Sequence, residues 1–483
     1  MYISRALRRR LHMALLACGD EFYVALTERG GLVVRGANER GQLGIGTLAP
    51  ALRPAVLGGV GPVAGDAAGE LIGGEHALAL LALPLAPLTP LADALAHPFE
   101  GMAAMVSAGT RHALCVTDGG VVWAWGCNNR GQLGVDAPAP GCAVRPIRWP
   151  AHLCHGALVR MVACGFSHTL VLTRGGQVWA CGNGSRGQTG SLRLPACVLA
   201  PERVLGLPAM ALVAAGRMHC SAVGMDGQVW MWGCGVHMGY LQAPAPAPAR
   251  PTPMSLGLGA FASARVVLLD LRADHAAAVT ELGALWVWGG NDYGQLGLGN
   301  VAARDVPVNV ALADGSGVCM ASFGYGHQVV LASDGAVWTS GDGSAGALGL
   351  GDLVDRWVPT RIAPQAFGGA KIVFVAGGAE DSFAVTAEGL LYTWGTAHPR
   401  ATAPPQTRPL PVAISLAPGA RVGRSCALPR RHSLALCMGA SPLSHVSRDV
   451  LGAVLAHVAR LGGDYAHMGE GLLRRLAVRV RTN

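Results

Sequence analysis

Hydrophobic and polar positions along this chain follow one pattern that recurs seven times. A typical unit begins with an apolar run at residues 112–116 (HALCV), continues through a polar turn at 117–120 (TDGG) and ends in a second apolar run at 121–125 (VVWAW). Two short apolar runs separated by an Asp-Gly turn predict a β-hairpin, because glycine adopts the positive φ that a tight turn requires. Trp123 and Trp125 stand two positions apart, so they share one face of the second strand.

Residues at constant distances from an anchor position fix the register of this pattern. The anchor is histidine in five units, with Phe22 and Asp381 at the two ends, and the five are His112, His168, His219, His275 and His327. Eight residues after each anchor stands a turn glycine, at Gly30, Gly120, Gly176, Gly227, Gly283, Gly335 and Gly389. Eleven residues after it stands an aromatic residue in six units, at Trp123, Trp179, Trp230, Trp286, Trp338 and Tyr392. This register predicts seven copies of one structural unit.

A further signature, Gly-Gln-Leu-Gly, begins nineteen residues after the anchor. It is complete at 41–44, 131–134 and 294–297, and looser at 187–190 and 346–349. The two outer glycines predict a tight loop that leads outward from the hairpin. The signature is decayed in the fourth unit and missing in the seventh.

The spacing of the anchors predicts the architecture. From His112 onward they lie 51 to 56 residues apart, a period that fits one four-stranded propeller blade. A single blade cannot bury both faces of its sheet, so the blades must stack into a closed ring. We therefore predict an all-β, seven-bladed β-propeller at residues 17–438, behind a basic lead-in at 1–16.

Two fragments copy only the first strand of a unit. The fragment at 432–436 (HSLAL) is expected to close the ring by pairing with the N-terminal unit. The fragment at 76–80 (HALAL) leaves eight blades as the alternative to seven.

The C-terminal residues 439–483 predict a short helical tail. Apolar residues recur at helical spacing from Leu443 to Leu461. One interpretation is a tail packed on the propeller. The other is that Pro442-Leu443, followed by the run 449–451 (DVL), resembles the opening of an F-box, a helical motif that docks the Skp adaptor of ubiquitin ligases.

Composition narrows the class of protein. Hydrophobic residues make up 51% and charged residues 14% of the chain, which is typical of a folded, turn-rich protein. The net charge is +8, yet Lys371 is the only lysine, so a high arginine count does not by itself indicate nucleic-acid binding. The short cluster Arg8–Arg10 predicts at most weak, salt-sensitive contact with chromatin or nucleic acid. Proline and aspartate interrupt the apolar region 71–96, so no membrane association is expected.

Candidate chemical sites have simpler structural interpretations. The thirteen cysteines form no CxxC pairs and are predicted to be reduced in an intracellular protein, with nucleus and cytoplasm both open. The group Cys142, His152, Cys154 and His155 matches no zinc spacing. The anchor histidines are expected to bond neighbouring blades, and the tryptophans to pack between sheets. No nucleophile elbow or phosphate loop is present, so no enzyme, cofactor or metal site is predicted.

The pattern AGxxHxLxLTxDGxVWxWGxNxxGQLG, best seen at residues 108–134, resembles the repeats of the regulator of chromosome condensation family. The resemblance implies a seven-bladed propeller and no single activity. Members of that family act as exchange factors for the Ran GTPase, as chromatin binders, as modules of ubiquitin ligases and as protein inhibitors. Fold alone does not choose between these roles.

The predicted function is a monomeric, non-enzymatic scaffold that binds a protein partner. The alternatives are a guanine nucleotide exchange factor for a Ran-like small GTPase, and a substrate-recognition subunit of a ubiquitin ligase that uses the F-box-like helix. The pattern assigns no partner-binding residues. The proline-rich loops at 242–253 and 398–411 are interpreted either as partner contacts or as tolerated surface excursions.

Overall fold

The computed structural model describes residues 16–27, 31–57, 102–135, 141–234, 250–397 and 406–414. These residues form seven four-stranded antiparallel sheets in chain order, which confirms the predicted all-β, seven-bladed propeller. The chain divides into two units, Met1–Leu428 and Pro429–Asn483, and every described residue belongs to the first. The predicted helical tail and the fragments at 76–80 and 432–436 lie outside the described residues.

Each blade contributes four consecutive strands. The first strands are β1 (Leu16–Cys18), β5 (Ala103–Ala108), β9 (Val159–Cys164), β13 (Met210–Ala215), β17 (Val266–Arg272), β21 (Val318–Phe323) and β25 (Ile372–Gly377). The second strands are β2 (Phe22–Leu26), β6 (His112–Thr117), β10 (His168–Thr173), β14 (His219–Gly224), β18 (His275–Thr280), β22 (His327–Ala332) and β26 (Asp381–Thr386). The third strands are β3 (Leu32–Gly36), β7 (Val122–Cys127), β11 (Val178–Gly182), β15 (Val229–Gly233), β19 (Leu285–Gly289), β23 (Val337–Gly341) and β27 (Leu391–Ala397). The fourth strands are β4 (Ala51–Leu57), β8 (Cys142–Arg148), β12 (Val198–Arg203), β16 (Arg250–Ser255), β20 (Arg304–Val310), β24 (Arg356–Arg361) and β28 (Gln406–Ile414).

The hydrophobic core lies between the blades. The first strands of neighbouring blades contact each other around the axis of the ring, which makes them the innermost strands. Strands β6, β10, β14, β18 and β22 are buried along their whole length. They are apolar on both faces because each is covered by a blade on either side.

Three short 3₁₀ helices connect blades and cover the repeated aromatic position of the third strand. They are η1 (Leu153–Gly156), η2 (Leu258–Phe261) and η3 (Pro364–Phe367). His155 lies edge-on to Trp179, Phe261 to Trp286, and Phe367 to Tyr392, with ring centroids 4.8, 5.9 and 5.5 Å apart. These pairs extend the packing between sheets to the outer part of each blade.

The outer edge of every blade carries proline. All seven fourth strands contain at least one, at Pro54, Pro146, Pro201, Pro251, Pro307, Pro359 and Pro409. Proline lacks an N–H group and is confined in sheets to edge strands, where it opposes pairing with another chain. The rim is therefore poorly suited to β-strand addition.

Blades 1 and 7 close the ring by side-chain packing. Leu16 and Ala25 of blade 1 share a buried cluster with Phe374 and Val385 of blade 7. The rings of Tyr23 and Phe383 meet edge to face at 5.4 Å. Both blades are four-stranded sheets in the described residues, and the closing strand expected from residues 432–436 stays a prediction.

Strand alternation assigns each connection to one of two faces. The turns between first and second strands lie at the same end as the loops between third and fourth strands, because successive antiparallel strands reverse direction. We call this end the turn face. The Asp-Gly turns between second and third strands lie at the opposite face.

Candidate functional site

The anchor histidines join neighbouring blades. His112 Nε2 lies 3.1 Å from Thr169 Oγ1, and His327 Nε2 lies 2.8 Å from Ser382 Oγ. The remaining contacts are His168 Nε2 with Cys220 Sγ at 3.0 Å and His275 Nε2 with the Gly324 carbonyl at 3.2 Å. Burial lowers the pKa of His112, His219 and His327 to about 4 and that of His168 and His275 to about 3, so all five are neutral at pH 7.

The turn glycines allow close contact between blades at the opposite face. Gly120 has φ +85°, and a Cβ there would lie 2.9 Å from the Val159 carbonyl of blade 3. Its N–H donates to the Thr117 carbonyl at 2.9 Å. The same positive φ recurs at Gly176, Gly227, Gly283, Gly335 and Gly389. These glycines shape the turns, and they have no side chain that could bind a ligand.

The tryptophans eleven residues after the anchor are packing residues in this structure. Trp179 and Trp338 are buried, and Trp123, Trp230 and Trp286 are half-buried. The residue two positions later has a different role that the sequence pattern did not reveal. At this position Trp125, Trp232, Trp288 and Trp394 are almost fully buried.

In five blades the residue thirteen positions after the anchor donates to the Gly-Gln-Leu-Gly loop of the preceding blade, which we call the staple loop. The indole Nε1 of Trp125 donates to the Gln42 carbonyl at 2.9 Å, and that of Trp394 to the Ala347 carbonyl at 2.7 Å. Where the repeat has serine, Ser340 Oγ lies 3.5 Å from the Gln295 carbonyl. The staple loop therefore joins blades 1, 2, 3, 5 and 6 each to the blade that follows, whereas the indole N–H of Trp288 in blade 5 has no partner among the described residues.

An asparagine sixteen residues after the anchor shapes the staple loop from inside. Asn38 Oδ1 accepts the N–H of Leu43 at 2.9 Å, and Asn38 Nδ2 donates to the carbonyls of Thr47 and Ala49. Asn291 makes the equivalent bonds in blade 5. These bonds satisfy the polar groups of a loop whose leucine is buried against the next blade.

The seam between blades 7 and 1 departs from the repeat at the anchor, at the staple donor and at the loop asparagine. Asp381 and Phe22 replace histidine, and Arg35 replaces the staple-bonded tryptophan. Ala397 stands sixteen residues after its anchor, the position that Asn38 occupies in blade 1. Strands β27 and β28 are paired as far as Ala397 and Gln406, so Ala397 belongs to the sheet, whereas Asn38 shapes a loop. A polar groove results here, and its charged lining is Asp20, Glu21, Arg35, Asp381 and Arg408.

Among the carboxyl groups of this groove, Asp381 has a pKa that is shifted toward neutral pH. Burial raises the pKa of its carboxyl to about 7, and Glu380 also raises it, against the opposing effect of Arg272 and Arg35. A carboxyl with this pKa exchanges a proton near physiological pH.

Arg272 spans the inner edge of the turn face. It stands three residues before the anchor His275. Blades 2 and 6 have glycine at this position, at Gly109 and Gly324. Its guanidinium donates to the carbonyls of Cys18 at 2.9 Å and Gly19 at 3.2 Å, joining blade 5 to blade 1. The Cζ atom also lies 5.3 Å from the ring centre of Tyr325.

Charge on the turn face is divided into two arcs. The described turns and staple loops of blades 2–4 carry arginine and no carboxylate, and this basic arc consists of Arg111, Arg130, Arg186, Arg193 and Arg217. Blades 5–7 and blade 1 carry the acidic arc, in whose described turns and loops one cation, Arg40, accompanies nine carboxylates: Asp20, Glu21, Glu39, Asp274, Asp292, Asp342, Asp352, Asp355 and Glu380.

Exposed aromatic residues accompany these charges. Phe166, Tyr293 and Tyr325 are 42%, 49% and 38% exposed. Arg217 Cζ lies 5.8 Å from the ring centre of Phe166. Arginine and tyrosine are enriched in protein interfaces, so the turn face combines the chemistry of an interface with the rigidity of a closed ring.

The repeat register and the blade seams agree with a known protein family. The model of the RCC1-like domain matches residues 86–435. The chain belongs to the RCC1-like domain family. It is 31% identical to the Arabidopsis thaliana ultraviolet-B receptor UVR8 over 298 residues, which are 60% of this chain and 64% of the relative. It is 31% identical to the mouse secretion-regulating guanine nucleotide exchange factor over 262 residues, which are 50% of this chain and 53% of the relative. The chain thus spans less than two thirds of the length of either curated relative.

Solved structures show the same fold. Prp20p from Saccharomyces cerevisiae superposes with a TM-score of 0.63 at 20% identity, covering 87% of this chain and 90% of that one. Human WBSCR16 superposes with a TM-score of 0.60 at 24% identity, covering 78% and 87% of the two chains.

Among the described residues there is no group of three or more metal-ligating side chains, so Cys142, Cys154 and His155 do not converge on a common point with His152. No helix in the described part of the chain is both long and apolar enough to cross a membrane.

Proposed function

We propose that this scaffold binds its protein partner through the turn face. The observation that carries the proposal is the division of that face into a basic arc and an acidic arc around exposed aromatic residues. Opposite arcs orient a partner of complementary charge before contact, and the aromatic residues provide buried area after it. The rim is a poorer candidate because every outer strand carries proline.

A charge-reversal experiment tests which face binds. The double variant Arg130→Glu and Arg217→Glu reverses two exposed cations of the basic arc. Lys371→Glu is the matched control, because Lys371 is also exposed and precedes β25 at the opposite face. Quantitative affinity capture with the full chain should lose the specific partner with the double variant and keep it with Lys371→Glu. Equal recovery from all three proteins would reject the turn face.

A second candidate is nucleotide exchange on a Ran-like GTPase, and the acidic arc favours it. An exchange factor displaces magnesium and phosphate contacts of its GTPase, which calls for acidic groups facing the partner. The mouse relative is named a guanine nucleotide exchange factor, and the Prp20p structure was described with its binding to Gsp1p and histones. These names support testing the activity in this chain.

Release of fluorescent GDP from Ran and a panel of small GTPases tests exchange directly. Acceleration by the wild-type chain, lost with Asp292→Lys and Glu380→Lys together, supports the second candidate. Asp118→Lys is the control, because Asp118 is exposed at the opposite face. Without acceleration on any GTPase, exchange is rejected while the scaffold remains.

The ubiquitin-ligase alternative has no structural observation behind it. Human HERC2 is 29% identical over 298 residues, which are 6% of that ligase, and the F-box-like residues 442–455 lie outside the described residues. This alternative, the monomeric state and the cellular compartment stay predictions.

A further inference from the structure

Two cysteines of blade 2 lie directly opposite each other on neighbouring strands. Cys127, the last residue of β7, is the register partner of Cys142, the first residue of β8. The N–H of Asn128 donates to the Gly141 carbonyl at 2.7 Å. In an antiparallel ladder, the position next to such a bonded pair is a non-hydrogen-bonded pair, with Cα atoms about 4.5 Å apart and side chains close together.

This geometry suits a disulfide. Disulfides join residues whose Cα atoms are about 4.4–6.8 Å apart, and the two thiols here are free. No other two cysteines of the described strands are register partners. Cys164, for example, pairs with Thr169, and Cys220 pairs with Trp232 and Ala215. The arrangement therefore separates this pair from the other cysteines of the propeller.

The two thiols differ in access. Cys142 is half-buried at the start of an outer strand, whereas Cys127 is 6% exposed. Cys127 Sγ donates to Asn129 Oδ1 at 3.3 Å. A soluble oxidant consequently reaches Cys142 first and leaves Cys127 as the neighbouring thiol that completes the reaction.

We propose that Cys127 and Cys142 form a reversible disulfide in response to a low-molecular-weight disulfide such as oxidised glutathione. The Cys142 thiolate attacks one sulfur of the oxidant, breaks its S–S bond and releases one glutathione thiolate. The Cys127 thiolate then attacks Cys142 Sγ in the mixed disulfide and releases the second glutathione thiolate. Two protons pass from the cysteines to the two glutathione molecules, so the protein loses two electrons and the oxidant gains them.

The disulfide restrains the loop that holds blade 3. Residues 128–141 connect the two cysteines and contain the staple loop at 131–134, whose Gln132 carbonyl accepts the hydroxyl of Thr169 at 2.7 Å. The same loop presents Arg130 on the turn face. Closing the loop covalently restricts the unfolded chain, so oxidation is expected to raise thermal stability. The proposed bond stands on strand geometry and does not depend on the function of the face.

The test uses the folded full chain with oxidised glutathione, followed by alkylation of the remaining thiols and peptide mass spectrometry without reductant. The expected product is a linked pair of peptides containing Cys127 and Cys142, lighter than the reduced pair by two hydrogen atoms. Reductant should restore both thiols. The Tm of the oxidised wild type should be higher than that of the reduced wild type.

Two variants keep this test decisive. Cys142→Ser should abolish the linked peptides and the rise in Tm. Cys197→Ser is the matched control, because Cys197 is also half-buried and stands just before the outer strand of blade 3, and it should behave as the wild type. Glutathione retained on Cys142 as a stable mixed disulfide, linkage of other cysteines, or no linkage while Cys197 is modified would each overturn the proposal.

Discussion

The indole Nε1 of Trp232 in blade 4 donates to the Gln188 carbonyl in the staple loop of blade 3, at 3.0 Å. The Cys220 thiol donates to the same oxygen at 3.1 Å. Trp125 and Trp394 make the equivalent bond at two other seams. The ring is thus held by a bond that recurs at the seams and joins a buried donor to a loop of the preceding blade.

Replacing Trp232 by phenylalanine should destabilise the propeller by about 0.5–1.5 kcal/mol, because the buried Gln188 carbonyl loses its indole donor and keeps the Cys220 thiol. Trp230→Phe is the control, since Trp230 is in the same strand and makes no indole hydrogen bond among the described residues. Urea unfolding of both variants measures the difference. Equal losses of unfolding free energy would show that packing alone explains the position.

Gly165, three residues before the anchor of blade 3, should tolerate no side chain. A Cβ on Gly165 would lie 2.2 Å from His168 Cε1 and 2.6 Å from the Gly216 carbonyl of the next blade. We expect Gly165→Ala to cost more than about 2 kcal/mol or to prevent folding, by overpacking. Gly259→Ala is the control, because a Cβ there meets nothing within 4 Å, and its effect should stay within roughly 1 kcal/mol. Similar thermal unfolding of the two variants would contradict the predicted contact.

Asp381 should make stability depend on pH. Its pKa is about 7 in the folded chain and 3.8 for the unperturbed group, so the folded state favours the protonated form. The stability that this group contributes is complete below about pH 4 and is lost as the pH rises through 7.

Asp381→Asn therefore removes a penalty that grows with pH. The free energy of unfolding of the variant, relative to wild type, should increase between pH 5 and pH 8 by up to about 3 kcal/mol, because this range covers about two pKa units at about 1.4 kcal/mol each. Denaturant unfolding at both pH values measures it. A difference that does not change with pH would show that Asp381 is ionised throughout.

Arg272 should stabilise ring closure. Arg272→Ala removes two charge-assisted bonds to the Cys18 and Gly19 carbonyls, and we expect a loss of about 1–3 kcal/mol with faster amide exchange at residues 16–26. Arg217→Ala at the exposed turn of blade 4 should leave exchange at those residues unchanged. If both variants change amide exchange at residues 16–26 equally, the Arg272 hydrogen bonds do not stabilise ring closure.

The seven-bladed ring could be predicted from sequence because the positions that repeat are the positions that pack. His112, Gly120 and Trp123 recur at fixed spacing in consecutive units, and each recurrence reports the same buried environment. The staple donor at Trp125 repeats less regularly, with Cys181, Ser340 and Arg35 in its place, so the pattern did not single it out.

The candidate site could not be predicted because it is built from residues that do not repeat. Arg272 interrupts a row of glycines, and its partners at residues 18–19 are about 250 positions away in the sequence. Arg130 and Arg217 come from blades 2 and 4 and reach the same face of the molecule only when the ring closes. A repeat register identifies shared positions and passes over the variable ones where recognition resides.

Hydrogen–deuterium exchange of the full chain, alone and in complex with the partner recovered by affinity capture, tests the proposed interface most directly. We expect slower exchange in the complex at the turns 109–112, 165–168 and 216–219, with unchanged exchange at the opposite-face turns 117–120, 173–176 and 224–227. Protection confined to the opposite-face turns would contradict the assignment of the partner to the turn face.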